Sequence, residues 1–337
     1  IGRICSTAEV GRGILAVTKG TEIPWWHPRR FRMTPSSYAY LKISEGCGRH
    51  CTFCTIPRIR GRFSSQRIDH LVERADSLVR SGVREIILIS QDTLSYGKDL
   101  YRQNALMDLV REIIALKGLR WLRLLYLFPD PELDDDFIHF MLSNSKICAY
   151  FDIPFQHASS SILRRMGRRG SAEEYLDLVQ RIRSAKEETA IRSTFITGFP
   201  GETECDFETL LAFVDSVKLD QVGCFVYSQE KGTPSYRFRN KVSHDVGIRR
   251  RARLMELQKK IVSEKLERRM GRVYQVMADG YHRKGLMAGH SRFQAPEVDG
   301  AVLFEGEAQP GTFVDVEITG YRGYDLIGRM VGPQAEP

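Results

Sequence analysis

Between residues 39 and 227, short apolar or β-branched runs alternate with longer amphipathic stretches, and this alternation constrains the fold more than any other feature. In the first amphipathic stretch, Leu71, Ala75, Leu78 and Val79 recur at helical spacing. Strand, helix and strand in this order predict βαβ units and a parallel sheet. Six such units predict an α/β fold, a partial (β/α)6 barrel that stays open. The predicted strands are Ala39–Ile43, Glu85–Ile89, Leu122–Tyr126, Ala149–Ile153, Ile191–Thr197 and Val222–Tyr227, and the predicted helices are Ile68–Ser81, Asn104–Lys117, Ala172–Lys186 and Glu204–Ser216.

The sequence pattern on either side of this core is different and predicts additional structural units. Residues 1–37 are irregular and predict an N-terminal linker or tail ahead of a core barrel over 38–244. Residues 245–270 predict a basic linker helix whose Lys and Arg side chains either face solvent or bind an anion. Residues 271–333 alternate short strands with glycine-rich turns and predict a small all-β barrel. The strands predicted there are Val273–Ala278, Val302–Glu305, Thr312–Ile318 and Leu326–Val331.

Composition restricts the class of protein. The chain has 337 residues, a hydrophobic fraction of 42% and no apolar run near the ~18 residues that a membrane helix requires. The formal net charge of +8 favours an anionic partner without specifying one. Seven cysteines in a chain of this length do not indicate a disulfide framework, and the scattered Cys148, Cys205 and Cys224 are expected to be buried small hydrophobes. We expect a cytoplasmic protein with no membrane partner.

Three of the cysteines stand close together. Cys47, Cys51 and Cys54 have the spacing C-x3-C-x2-C in one loop directly after the first predicted strand. Cysteine thiolates are the usual ligands of iron–sulfur clusters. Structural zinc usually takes four protein ligands in paired arrangement, and no second cysteine pair follows, so that zinc or incidental clustering is the weaker alternative. Three thiolates on a 4Fe-4S cluster leave one iron with an open coordination position, where a cofactor or substrate can bind.

This loop, with the aromatic Phe53 before its last cysteine, resembles that of the radical-SAM superfamily. The resemblance implies that the open iron binds S-adenosylmethionine, whose reductive cleavage gives a 5′-deoxyadenosyl radical that abstracts hydrogen. It also implies an external reductant such as flavodoxin or ferredoxin. A barrel mouth that shields a radical from solvent suits this chemistry, because the cofactor carries the hard step.

Within the superfamily the chain resembles the methylthiotransferases, in which a radical-SAM barrel precedes a small TRAM-like β-barrel. The stretches that carry the resemblance are Tyr38–Cys47, Ile56-Pro57 with Arg60-Gly61, Ser90–Thr93 with Tyr96-Gly97, Pro154–Ala158, Thr197–Thr203 and Ala295–Gly300. Asp92 and His157-Ala158 favour the branch that methylthiolates the β-carbon of an aspartate in ribosomal protein uS12. The alternative is a tRNA adenosine methylthiotransferase whose small barrel binds RNA. The acidic residues of that barrel, among them Glu297 and Asp299, make an RNA partner less favoured.

The resemblance implies roles for residues at the ends of the predicted strands. Cys47, Cys51 and Cys54 are the implied cluster ligands and the catalytic core, and Phe53 is expected near the adenine. The remaining implied cofactor-binding residues are Gln91, Asp92, Gln156, Arg192, Thr194, Gly198, Pro200, Gly201 and Tyr227. Arg192 and Thr194 are expected to point into the barrel if the two-residue alternation of a strand holds, and Arg192 can then pair with a carboxylate of cofactor or substrate. Strand-end turns and loop packing are the structural alternatives for these positions.

The chain departs from the family pattern in two places. This chain has Ser65-Gln66 where the family usually has Ser-Arg, so that any role of the family's arginine is in doubt here. Family members also carry an upstream domain whose cysteines hold a second, auxiliary 4Fe-4S cluster, and Cys5 alone does not replace them. We therefore expect the auxiliary cluster only in an N-terminal domain outside this sequence.

Overall fold

The computed structural model describes residues 35–283 and 285–332, so that the predicted linker over 1–37 lies outside the described residues except for its last three. The core contains β1 (Tyr38–Lys42), β2 (Ser44–Glu45), α1 (Ile56–Ile59), β3 (Ser64–Ser65), α2 (Ile68–Arg80), β4 (Glu85–Ile89), α3 (Leu106–Ile114), β5 (Trp121–Leu124), α4 (Asp135–Ser143), β6 (Tyr150–Asp152), α5 (Ser160–Arg165), α6 (Ala172–Ala185), β7 (Ala190–Thr197), α7 (Glu204–Val217) and β8 (Gln221–Val226). Helix α8 (His244–Glu267) then leads to β9 (Val273–Arg283), β10 (Leu286–Ser291), β11 (Val302–Glu305), β12 (Phe313–Arg322) and β13 (Asp325–Met330).

The predicted partial barrel is confirmed. Six parallel strands form two three-stranded sheets, β1-β4-β5 and β6-β7-β8. A parallel bridge joins Leu122 of β5 to Ile147, which lies three residues before β6. The helices cover the convex side, where Ile191 and Phe195 of β7 belong to the same buried cluster as Phe213 of α7. The concave side is consequently left for polar residues.

The helices form where apolar spacing and capping residues agree. In α2 the buried residues are Leu71, Ala75 and Val79, at the predicted spacing. Helix α7 begins with a capping box in which Thr203 and Asp206 satisfy each other's backbone N–H groups. The expectation for Cys205 was wrong: it is exposed, because the period of α7 turns Phe207 inward and the first turn outward.

The small all-β barrel is confirmed as a closed five-stranded barrel in the order β10-β11-β13-β12-β9. Its core contains Val276, Phe304 and Val316. Strand β10 was absent from the sequence prediction, and β9 and β12 extend beyond their predicted ends. Gly289 permits the close β9–β10 approach, because a Cβ there would lie 2.3 Å from the carbonyl oxygen of Met277.

The small barrel packs on the core through a buried ionic network. Arg123 donates through Nε to Glu85 at 2.7 Å, and His290 of the small barrel lies 2.7 Å from the other oxygen of Glu85. The second ring nitrogen of His290 lies 2.7 Å from Asp279. Arg123 and Glu85 are fully buried. Two cations thus face two anions at the domain contact.

Helix α8 connects the two domains and carries the predicted basic run. Its Arg250 and Arg253 pair with Glu204 of α7 at 3.0 and 2.7 Å, and Lys265 pairs with Asp220 at 2.7 Å. These three side chains hold α8 to the core, whereas Lys260 and Arg251 are exposed. No helix among the described residues is long and apolar enough to cross a membrane.

Candidate functional site

The cysteine loop follows β2 and is fixed to the C-terminal end of α5. Thr52 donates through its backbone N–H to the Met166 carbonyl at 2.9 Å and through Oγ1 to the Arg165 carbonyl at 2.8 Å. The Thr52 carbonyl in turn accepts from the backbone of Ser235 at 2.9 Å. Gly167 has a φ of +72°, and a Cβ on it would lie 2.7 Å from the His50 carbonyl oxygen. Backbone contacts from two distant segments therefore set the shape of the loop.

Each of the three cysteine sulfurs receives an N–H group. Backbone N–H groups of Arg49 and Ile56 lie 3.4 Å from the Sγ atoms of Cys47 and Cys54. The Cys51 Sγ lies 3.8 Å from Nη1 of Arg168. Hydrogen bonds to sulfur are a feature of iron–sulfur sites, where they stabilise the charged thiolates and adjust the potential. The donor set therefore fits a cluster held by these three cysteines.

Burial opposes ionisation of these thiols in the protein alone. It raises the pKa of Cys47 to about 11, although the Arg49 N–H works in the other direction, and it raises the pKa of Cys54. Metal binding to such thiols releases protons. Among the described residues no three His, Cys, Asp or Glu side chains are placed to hold a single metal ion.

Asp92, after β4, is tied to the cysteine loop through Arg49. Arg49 donates through Nε to Asp92 and through Nη1 to Asp130, each at 2.6 Å. Asp92 is buried, and its Oδ1 has no hydrogen-bond partner among the described residues. The neighbouring Gln91 also has a buried Oε1 without a partner there. Two predicted site residues therefore keep buried acceptor atoms without a partner among the described residues, and one of them, Asp92, is tied to the cysteine loop.

Gln156 lies beyond the end of β6 and forms an isolated parallel bridge to β7, which carries the other two predicted residues. Gln156 has a φ of +71° and exchanges backbone hydrogen bonds with Thr194 and Ile196, each at 2.8 Å. Arg192 and Thr194 are half-buried and alternate with buried neighbours that face the helices, which places them on the concave side. Arg192 donates to Asp152 at 2.8 Å and lies 3.6 Å from Asp299 of the small barrel. Its guanidinium is thus already paired with two carboxylates.

The loop after β7 is shaped by Glu202. One oxygen of this buried carboxylate accepts from the backbone N–H groups of Gly198 and Phe199. Pro200 offers its carbonyl to Arg165 Nε at 2.8 Å, and the Gly201 N–H donates to the Asn240 carbonyl at 2.8 Å. The conformation of the loop is therefore fixed by Glu202 and by these backbone contacts.

Aromatic rings connect this loop to the cysteine loop. Phe199 packs edge-on against Phe53, with ring centroids 6.4 Å apart, and against Tyr227 at 5.1 Å. The Tyr227 hydroxyl donates to Ser235 at 2.8 Å. Phe53 and Tyr227 are thereby brought to one wall around Phe199, which Pro200 follows in the chain, whereas Arg192 pairs with Asp152 of β6 and lies near Asp299 of the small barrel.

Three residues beside the cysteines were absent from the sequence prediction. Phe128 stacks with two guanidinium groups, those of Arg49 at 4.1 Å and Arg168 at 3.9 Å from the ring centroid. The three lie in separate segments of the chain, and only the fold brings them together. The position of Phe128 in the loop after the third predicted strand (Leu122–Tyr126) was the one available signal.

Comparison with known proteins agrees with this architecture. The sequence model of the radical SAM superfamily matches residues 41–214, and that of the TRAM domain matches residues 270–331. The chain is 41% identical over 318 residues to ribosomal protein uS12 methylthiotransferase RimO of Acetivibrio thermocellus, covering 93% of this chain and 70% of that protein. RimO of Pelotomaculum thermopropionicum is 44% identical over 302 residues, covering 88% and 68%.

A solved structure supports the fold alone. Coproporphyrinogen III oxidase (HemN) of Escherichia coli, described as a radical SAM enzyme, has a TM-score of 0.50 at 13% identity, covering 77% of this chain and 67% of that chain. The relatives are similar along almost the whole of this chain, which spans about 70% of their length. The chain therefore belongs to the radical SAM superfamily and, within it, to the RimO family of uS12 methylthiotransferases.

Proposed function

We propose that the chain binds a 4Fe-4S cluster through Cys47, Cys51 and Cys54 and uses it with S-adenosylmethionine to methylthiolate the β-carbon of an aspartate in ribosomal protein uS12. The observation that carries the proposal is the cysteine loop, in which each of the three sulfurs faces an N–H donor. When bound, the cluster and S-adenosylmethionine supply a 5′-deoxyadenosyl radical that abstracts hydrogen from the substrate.

The residues of the chain would bind and orient this cofactor pair. Phe53 and Tyr227 flank Phe199 and offer an apolar wall to the adenine. Gly198, Pro200 and Gly201 belong to a loop that Glu202 and Arg165 hold in place, so that its backbone can come close to a ligand. The cofactor site we propose therefore lies between this loop and the cysteine loop.

Polar groups at the strand ends complete the proposed site. Gln91 and Asp92 keep buried acceptor oxygens that can receive the amino or hydroxyl protons of the cofactor. Gln156, Arg192 and Thr194 would line the concave side toward the substrate. Because Asp152 and Asp299 already pair with Arg192, an incoming substrate carboxylate would compete with them for its guanidinium.

We propose a cytoplasmic setting with uS12 as the protein partner and a small electron-transfer protein, such as flavodoxin or ferredoxin, as the reductant. The similarity to RimO along most of the chain supports uS12 over tRNA. Glu297, Glu305 and Glu307 are exposed on the small barrel, and these acidic surface groups do not suit a phosphate backbone.

Deuterium transfer tests the substrate and the reacting carbon together. The reconstituted chain is incubated under anaerobic conditions with dithionite, S-adenosylmethionine and uS12 whose aspartates carry deuterium at the β-carbon. We expect deuterium in the 5′-deoxyadenosine, because the radical abstracts from that carbon, and none with unlabelled uS12. Unlabelled product together with stimulation by bulk tRNA would replace the proposal with the tRNA alternative.

A further inference from the structure

Arg168 differs from the other arginines that the fold buries. Within the part of the chain that the structure describes, Arg123, Arg168 and Arg250 are buried arginines, at 0, 5 and 6% exposure. Arg123 has Glu85 at 2.7 Å, and Arg250 has Glu204 at 3.0 Å. No carboxylate of the described residues lies within 4.0 Å of the Arg168 guanidinium. A buried cation without a counter-anion costs several kcal/mol.

The contacts of Arg168 place its charge beside the cysteines. Nη2 donates to the Pro154 carbonyl at 2.6 Å, and the group stacks on Phe128 at 3.9 Å from the ring centroid. Nη1 lies 3.8 Å from Cys51 Sγ, and Nε has no hydrogen-bond partner among the described residues. A neutral carbonyl and a ring face attract a cation but do not neutralise it.

Arg49, which also stacks on Phe128, at 4.1 Å, shows the contrast, because it is neutralised by Asp92 and Asp130. Phe128 therefore contacts a compensated arginine and an uncompensated one. The uncompensated Arg168 lies beside Cys51 Sγ, where three thiolates and their cluster would bring net negative charge.

We propose that Arg168 is the counter-cation of the iron–sulfur cluster, a positioning residue whose buried charge is neutralised by the cluster and its thiolates and not by a carboxylate of the protein. This inference rests on the proposed function, since it requires the cluster at Cys47, Cys51 and Cys54. Reduction adds negative charge to the cluster, and a fixed cation beside it favours the reduced form. Arg168 therefore raises the reduction potential.

The potential is the direct test. The midpoint potential of the reconstituted chain is measured without S-adenosylmethionine, by electron paramagnetic resonance during a dye-mediated titration. For Arg168→Gln we expect the reduced-to-oxidised ratio at fixed solution potential to fall at least tenfold, a shift of about 59 mV to more negative values for a one-electron couple. Arg168→Lys keeps the charge and should stay near the wild type. Arg181→Gln, an equal charge change on α6, where Arg181 pairs with Asp135 of α4 and Asp177 of α6, is the matched control.

A second readout uses the chain without its cluster. There the charge of Arg168 is uncompensated, so Arg168→Met, which removes the charge and keeps an apolar side chain of similar length, should unfold at no lower a temperature than the wild type. With the cluster bound, the same substitution should lower the unfolding temperature. Strong destabilisation of the cluster-free variant would overturn the inference, because Arg168 would then serve the protein alone.

The outcomes separate this inference from the function on which it rests. A wild-type chain that takes up no iron and sulfide refutes the proposed function. A wild-type chain with a normal cluster, whose potential moves no more in Arg168→Gln than in Arg181→Gln, refutes the counter-cation alone. If the potential of Arg168→Gln is unchanged but its affinity for S-adenosylmethionine is tenfold weaker, Arg168 would instead be assigned to bind the carboxylate of that cofactor.

Discussion

Replacing Glu85 with glutamine tests the ionic network that joins the small barrel to the core. Glu85 accepts from Arg123 at 2.7 Å and faces His290 at 2.7 Å, and all three side chains are almost fully buried. The substitution keeps the size of the side chain but leaves two buried cations with Asp279 as their remaining anion. Removing one partner of a buried ion pair costs about 3–5 kcal/mol. We expect the free energy of unfolding to fall by this amount.

Chemical denaturation measures this loss, and the interface offers its own probe. Trp121 packs 4.8 Å from Phe313 and 5.8 Å from His290, measured between ring centroids, so its fluorescence reports separation of the two barrels. Trp25 and Trp26 lie outside the described residues and are replaced by phenylalanine in all samples. Far-ultraviolet circular dichroism follows the secondary structure in parallel.

An exposed pair provides the control. Glu317→Gln breaks the contact of Glu317 with Arg329 on the outside of the small barrel, where the loss should stay below about 1 kcal/mol. If Glu85→Gln costs no more than Glu317→Gln, the network does not stabilise the domain contact and the reasoning is refuted. A double replacement, Glu85→Leu with Arg123→Met, should recover part of the loss, because no uncompensated arginine remains.

Two further predictions concern His290 and Gly167. Burial disfavours the charged form of His290, but Glu85 and Asp279 outweigh burial and raise the pKa of His290 from 6.5 to about 9. The charged histidine therefore stabilises the fold fully below pH 6.5, and this stabilisation is lost as the pH rises through about 9. Chemical denaturation should show the free energy of unfolding falling by on the order of 3 kcal/mol across that window in the wild type and not in His290→Gln. Gly167→Ala places a Cβ 2.7 Å from the His50 carbonyl oxygen and should lower the iron content of the reconstituted protein several-fold. Gly271→Ala is the control, because Gly271 has a similar φ of +74° but open space around its Cβ position. Equal iron content in the two variants would contradict the anchoring of the cysteine loop at Gly167.

The core could be predicted from sequence because its signals are local. Strand β4 matches its predicted limits, and α6 and α7 begin at the predicted residues, where Ser171 and Thr203 cap them. Helix α4 was missed although Asp134 caps it, because its apolar stretch is short and follows a Pro-Asp-Pro turn. Strand β10 was missed because glycine and histidine interrupt its alternation.

The site was predictable only where a motif marks it. The three cysteines stand in one loop, and their spacing suggests a cluster without any tertiary information. Arg168 and Phe128 come close to Cys51 only through folding, and no local pattern separates Arg168 from its neighbours Arg164 and Arg165. The pairing of Arg192 with Asp299 likewise depends on how the small barrel packs, which residue periodicity does not encode.

The central claim is that the cysteine loop carries a cluster that cleaves S-adenosylmethionine. The most direct measurement is 5′-deoxyadenosine, quantified by mass spectrometry after anaerobic reconstitution with iron and sulfide and addition of dithionite. The account predicts product from the wild type and from Cys205→Ala, whose exposed cysteine lies on α7, and none from Cys51→Ala. Equal product from Cys51→Ala, or none from a wild type with a normal cluster spectrum, would contradict it.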